Sequence, residues 1–414
     1  LICSILKKKC NNYISDIVEP FNINNDQNNL NKIQSINGVP SLNEFGKNVD
    51  ISDNGDIICI LNLGKKIPQD ESSNMSPEGI EYYYESNLYI YKLVGNEYKE
   101  MRKYDFDNKN KKFNISLSGN GNNISLCYDK YEESEAKKYK NIIITFKIIK
   151  NTESFELEQI GNLIEHKENI SNIKLSYDGN FLSYSSITFS DKDNNLDNVG
   201  LVRIYELTND NQWEKIGNDI LGKNNRDQIG TSLDISKNGN IIATGSIGFD
   251  KSDGEKQLVH IGSVSIYKYN NNIWEQYGTD IIGTKGGDYS GKSLSISSDG
   301  KIIAIGAYYN DGLDGNNSDA GQVRVYKYDD NTSDWTKIGE DIYGENANET
   351  SGTNISLSSN GNRLAIGANG YNSYKGIIRI YDYIDNEWKL NLDIEGDELQ
   401  ELGKIFKLSK NGTK

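Results

Sequence analysis

Histidine is almost missing from this chain. Only His166 and His260 occur, far apart and with no motif around either, which leaves little material for imidazole-based acid–base chemistry. Cysteine is scarce as well, and four in 414 residues do not frame a disulfide scaffold. Cys59 and Cys127 fall in the second strands of successive repeats and read as small packed core thiols. A bridge between Cys3 and Cys10 is left open, and with it the redox compartment. No apolar run approaches the roughly eighteen residues of a spanning helix, so no direct membrane insertion is expected. Positive charge is in deficit: 45 Lys and Arg stand against 60 Asp and Glu, giving −15 and a pI near 4.8. Nucleic acid and anionic membranes would be repelled by such a chain.

What the sequence does have is a repeat. Its clearest unit is Gly291–Gly344, where short strands rich in β-branched residues alternate with Gly, Asn and Asp turns. The turn between the first two strands ends in Gly55, Gly121, Gly179, Gly239, Gly300, Gly361 and Gly412, at intervals of 66, 58, 60, 61, 61 and 51 residues. Asn or Asp precedes each of these glycines, a hairpin signal that predicts positive φ at both turn residues. A second glycine stands nine residues earlier in five repeats, at Gly46, Gly230, Gly291, Gly352 and Gly403. An aromatic opens the fourth strand: Tyr98, Phe155, Trp213, Trp274, Trp335 and Trp388, which uses all four tryptophans. Another sits in the third strand, at Tyr91, Phe146, Tyr205, Tyr267, Tyr326 and Tyr381, seven to nine residues before its partner. Each pair is expected to bring two rings together as packing between sheets.

Repeats of four strands and no helix predict an all-β propeller, because each blade exposes apolar faces that only a neighbour can cover. We place blades at about 41–106, 107–164, 165–223, 224–284, 285–345 and 346–396 within one domain. Residues 397–414 supply only the first strand of another. Residues 1–40 are expected to complete it, with Leu1–Leu6 as second strand, a third within Asn11–Ile23, and Leu30–Gly38 as fourth. That makes seven blades of four antiparallel strands, the last closed by both termini. The chain begins at Leu1 and stops in mid-pattern, so a monomeric domain within a longer protein is expected.

The marks together resemble the FG-GAP repeats of integrin α-subunit propellers and their bacterial and viral relatives. The pattern stands here as Gly291-Lys-Ser293, Ile305-Gly306-Ala307, then Gly321-Gln-Val323-Arg-Val325-Tyr326 and Trp335. Ile366-Gly367-Ala368 with Gly376-Ile-Ile-Arg-Ile-Tyr381 repeats it. The match is strong from about 200 to 396 and faint before. The resemblance implies a seven-bladed propeller, extracellular or surface-exposed, that binds a protein or glycan ligand through its loop face. It also implies calcium at the first hairpin, but turns such as Ser298-Asp299-Gly300 have too few oxygens for six to eight ligands.

Calcium candidates remain in the loops between second and third strands: Asp191, Asp193, Asn195 and Asp197, and Asp311, Asp314 and Asp319. The first set opens like an EF-hand loop, yet Leu196 replaces its Gly and Val202 its Glu. Solvated loop acids are the plainer reading, and no cofactor is assigned. No residue is assigned to catalysis. Arg203, Arg324 and Arg379 share one repeat position, and no sialidase Asp-box occurs. Nine N-x-Ser/Thr sequons are what so much Asn yields by chance. We therefore expect a non-catalytic binding or adhesion scaffold, not an enzyme, recognising partners through 66–86, 189–199, 248–260 and 308–320. The Tyr82–Tyr84 cluster in the first of these is a candidate contact. A structural section of a larger surface or virion protein is a variant of this reading. The competing class is a hydrolase of glycans or esters in the central channel, whose mark would be carboxylates from several blades meeting in one pocket.

Overall fold

The computed structural model describes residues 2–5, 17–23, 30–32, 36–37, 44–63, 66–68, 82–84, 86–106, 111–131, 139–253, 256–397 and 400–413. Six antiparallel sheets each arise from one contiguous stretch. The fifth has Ser293–Ile296 innermost, followed outward by Ile302–Ala307, Gln322–Asp329 and Asp334–Lys337. A seventh sheet joins both ends of the chain. Phe406–Lys407 is its inner strand and pairs with Ile2–Ile5, which pairs with Ile17–Ile23 and then Leu30–Lys32. The inner strands of all seven sheets contact one another in a closed circle, from Glu44–Ile51 round to Phe406–Lys407 and back. Apolar side chains fill the wedges between neighbouring sheets, as with Ile303, Ile305, Val264 and Ile266.

Each first turn is built the same way. Gly300 donates to Ser297 O at 2.9 Å and has φ 71°, while Ser297 Oγ accepts from Ile302 N. The residue before the glycine does not share the positive φ: none of Asn54, Asn120, Asp178, Asn238, Asp299, Asn360 and Asn411 adopts it. The expectation of two left-handed residues is corrected, because the Asn or Asp side chain instead accepts from the amide two residues on, as in Lys301 N to Asp299 Oδ1. The serine three before the glycine recurs in all seven turns, at 52, 118, 176, 236, 297, 358 and 409, and is buried throughout.

These turns also bind to one another. Asp53 N reaches Gly119 O, Asn120 N Tyr177 O, Tyr177 N Lys237 O, and Lys237 N Ser298 O. Ser298 N then reaches Ser359 O, Ser359 N Lys410 O, and Asn411 N Asp53 O. Seven amides thus clasp the turn face into a cycle that closes on itself.

The tryptophans pack between blades. Trp335 lies edge-on to Tyr277 of the preceding blade and donates Nε1 to its carbonyl at 2.8 Å. Its own-blade partner is Tyr328 rather than the expected Tyr326, and Trp274 and Trp388 likewise meet Tyr269 and Tyr383. The hairpin register explains this: Tyr328 lies directly opposite Trp335. Gly306 of the Ile-Gly-Ala motif also has a packing cause. A Cβ there would lie 2.4 Å from Gly352 O of the next blade, so the glycine lets two blades approach.

Candidate active site

Strand alternation turns one residue of each inner strand toward the channel, five positions before the turn glycine. Around the circle these are Asp50, Ser116, Lys174, Asp234, Ser295, Ser356 and Lys407. Their flanking residues are apolar and face neighbouring blades, as Leu233 and Ile235 do around Asp234. One turn lower, three residues on, stand Asp53, Gly119, Tyr177, Lys237, Ser298, Ser359 and Lys410. Residues of both rings line a cavity of about 50 Å³, several times what one buried water requires. It shares Tyr177, Lys237 and Ser298 with a wider mouth of about 450 Å³ on the turn face.

The upper ring has a structural duty. Each blade offers one inner-strand amide to the ring residue of the preceding blade. Leu117 N is accepted by Asp50 at 2.9 Å, Leu175 N by Ser116 at 3.0 Å, and Ile296 N by Asp234 at 2.9 Å. Leu357 N and Leu408 N go to Ser295 and Ser356. Lysine has no acceptor to offer. In the two blades that follow a lysine, Asp50 and Asp234 take their own neighbours' amides, Ile51 N at 3.0 Å and Ile235 N at 3.1 Å. Both aspartates therefore use both oxygens on the frame.

What remains is a charge cluster in a confined space. Burial opposes the Asp234 charge, yet Lys410, Lys407 and Lys174 together hold its carboxyl below the ordinary range. The Lys407 charge first, and burial second, pull the Lys174 ammonium down to about 8. Burial also works against Lys407, but Asp50 and Asp234 outweigh it and keep that ammonium above its usual value. Lys410 is lowered by burial and donates to Ile296 O, 2.8 Å away across the channel. Asp53 leans over Gly119, where an added Cβ would stand 2.8 Å from its Oδ1. Burial pushes its carboxyl up, against the pull of Lys410, Lys407 and Lys237. Lys237 is exposed at the mouth, its ammonium 4.1 Å from the Tyr177 ring centre.

None of the residues singled out from the sequence lies in this cavity. Asp191 caps its own loop, accepting from Asp193 N and Asn194 N, while Asn195 has φ 54°. Asp197 N donates to Asn225 Oδ1. Asp311 accepts weakly from Asp319 N at 3.4 Å, and Asp314 is exposed. Asp319 sits at φ 56°, a left-handed position that Asn198, His260 and Tyr374 occupy in other blades. Among the described residues no three His, Cys, Asp or Glu side chains group closely enough to hold a metal ion. Arg324 and Arg379 are buried structural partners of Ser290 and Glu349. The described parts of loop 66–86 are Lys66–Pro68, paired with Tyr82–Tyr84, and the buried Ser86, whose carbonyl accepts from Phe106 N. Cys10, and with it the bridge to Cys3, lies outside the described residues. The channel residues were in view all along, because the turn glycines index them. The missing signal was a charged residue between two apolar ones in an inner strand.

No family model and no curated protein matches the sequence. Among solved structures the chain is similar to a periplasmic gluconolactonase of Pseudomonas aeruginosa, with 9% identity, 97% of each chain covered and a TM-score of 0.58. It is also similar to a putative 6-phosphogluconolactonase of Bacteroides uniformis, with 12% identity, 96% of this chain and 97% of that one covered, and a TM-score of 0.58. Hydrazine synthase of Kuenenia stuttgartiensis aligns at 13% identity over 88% and 89% of the two chains, with a TM-score of 0.50. At such identities the likeness establishes the propeller. These neighbours are not integrin-type propellers, so the FG-GAP resemblance is corrected to the fold alone, and adhesion and protein binding lose their support. The expectation of a non-catalytic scaffold working through its loop rim is corrected as well. Two of these neighbours are described as a gluconolactonase and a putative 6-phosphogluconolactonase, and carboxylates from two blades, Asp50 and Asp53 from one and Asp234 from another, line one channel cavity, where the hydrolase reading looked for carboxylates from several blades.

Proposed function

We propose that this propeller is a hydrolase of small cyclic esters, with its chemistry at the turn-face end of the channel. The observation that carries the reading is the convergence of Asp53, Lys174, Lys407 and Lys410, from three blades, on one cavity beneath an open mouth. Lactone ring opening needs a base for the attacking water and cations for the oxyanion that forms at the carbonyl. Asp50 and Asp234 are committed to backbone amides, so the base falls to Asp53, whose raised pKa makes its carboxylate a better proton acceptor. The ammoniums of Lys407 and Lys410 supply the positive field. Water adds to the carbonyl carbon as Asp53 takes its proton. Collapse of the intermediate breaks the ring C–O bond, and the departing alkoxide takes that proton back. The mouth has room for a sugar-sized ring, with only its carbonyl entering the cavity. A location outside the cytoplasm is part of the proposal, supported by the periplasmic neighbour.

The test is titration of acid released from glucono-δ-lactone and from a simple aryl ester, measured against spontaneous hydrolysis. Asp53→Asn should lower kcat/KM by roughly 100-fold or more if the carboxylate is the base. Hydrolysis at the spontaneous rate, or a rate indifferent to Asp53→Asn, would sink the proposal.

A further inference from the structure

We infer that the channel cavity is a binding site for one small monovalent anion of halide size, held by Lys174, Lys407 and Lys410. These lysines come from the third and seventh blades and line the same cavity of about 50 Å³. Among the described residues four lysines and three aspartates line it, which leaves one positive charge over. The aspartates face the frame. Asp50 accepts from Ile51 N with one oxygen and from Leu117 N with the other, and Asp234 divides its pair between Ile235 N and Ile296 N. Lys410 has a carbonyl, Ile296 O, at 2.8 Å, and Lys237 lies over the Tyr177 ring at the mouth. Lys174 and Lys407 are half-buried, and among the described residues neither has an acceptor oxygen within hydrogen-bond or ion-pair distance. An ammonium carries three donors, and its charge is costly to bury without a counterion. One anion between these lysines meets the free donors and cancels the surplus charge.

Size limits which anion enters. The cavity has room for a few water-sized atoms, enough for chloride or bromide and too little for an aromatic sulfonate, which stops at the wider mouth. Protons are coupled to the binding. The Lys407 charge first, and burial second, bring the Lys174 ammonium down to about 8, with Asp234 and Asp50 opposing and Lys410 adding to the fall. Asp53, Lys237 and Tyr177 complete the titratable lining. Loss of the Lys174 proton removes the surplus charge, so anion affinity falls as pH rises through about 8. Reciprocally, a bound anion holds that proton in place. The proposed hydrolysis draws on the field of Lys407 and Lys410, so a bound halide should also inhibit it. That consequence rests on the hydrolase reading, whereas the binding does not.

The experiment titrates the full chain with sodium bromide against a constant background of sodium benzenesulfonate, and reads the bromide NMR linewidth. Bound bromide should broaden the line saturably, and replacing benzenesulfonate by chloride should reverse the broadening. Binding should weaken about tenfold from pH 7 to pH 9, following the charged fraction of a group that titrates near 8. Lys174→Met should weaken binding at pH 7 and flatten that profile, while Lys292→Met, at an exposed lysine, should change neither. Three results with the folded wild-type chain would each overturn the inference. They are no saturable broadening, binding as strong at pH 9 as at pH 7, and chloride displacing bromide no better than benzenesulfonate does. These comparisons need no variant, so they hold even if Lys174→Met does not fold. Ester turnover is not part of the readout, so the two proposals fail separately.

Discussion

The backbone amide of Asn411 lies 3.1 Å from the carbonyl oxygen of Asp53. That single bond joins the last turn of the chain to the first and completes the clasp of seven. Turn amides ordinarily exchange with solvent quickly, since local opening costs little. The amides of Asp53, Asn120, Tyr177, Lys237, Ser298, Ser359 and Asn411 should instead exchange in the slowest class. Deleting residues 405–414 should release Ser359 first, because its amide donates to Lys410 O. Fast native-state exchange at these seven amides would show that the clasp does not hold in solution.

Trp335 fills the seam between the fourth and fifth blades against Tyr277 and Tyr328. Trp335→Ala should destabilise the protein by about 3–5 kcal/mol, through a cavity and the orphaned Tyr277 carbonyl. Trp388 is less buried, so Trp388→Ala should cost visibly less in the same denaturant titration.

Glu349 and Arg379 form a buried ion pair, with side-chain exposures of 0% and 4%. Glu349 also accepts from Glu345 N and Asn346 N, each at 3.0 Å, holding the link between blades. Arg379→Met strands the carboxylate and should cost about 3–5 kcal/mol. Adding Glu349→Gln should recover part of that loss, because Gln400 already caps the next link through an uncharged oxygen, accepting from Asp397 N at 2.8 Å. A double variant no more stable than Arg379→Met alone would show that the charge matters beyond its partner.

The pH dependence of stability follows from Lys174. Its folded pKa of about 8 lies below the unfolded value of 10.5, so the unfolded chain binds more protons between the two. Stability should therefore rise by about 1–2 kcal/mol between pH 8 and 10. Above pH 10 the trend reverses, since Tyr91, Tyr98 and Tyr184 are raised by burial and must stay protonated when folded. Lys174→Met should flatten the rise below pH 10 and leave the decline above it. Chemical denaturation at closely spaced pH values measures both.

The propeller was legible because its signal is redundant. Seven turn glycines and four tryptophans report the same geometry, and the pairing of Phe406–Lys407 with Ile2–Ile5 follows once the sheets must close. The rings beside the tryptophans were misread by two residues, since alternation places Tyr326 and Tyr328 on one face and only register separates them. The site was harder to read. Asp191 and Asp319 attract attention as acids in loops, yet a left-handed backbone or a self-capped turn accounts for them. Lys174 and Asp234 look like unremarkable strand residues until seven inner strands are set in a circle. A sequence shows the period of a repeat more readily than the one place where its copies differ in charge.

The acceptor rule of the inner ring has an evolutionary consequence. A lysine there deprives the next blade's amide of its partner, and an aspartate one repeat later restores it, as Asp234 does after Lys174 and Asp50 after Lys407. Lysine and aspartate at this position should therefore be inherited as a couple on adjacent blades, about sixty residues apart for Lys174 and Asp234 and joined across the two ends of the chain for Lys407 and Asp50. In homologous chains the two should appear and vanish together, and a lysine followed by serine should be rare.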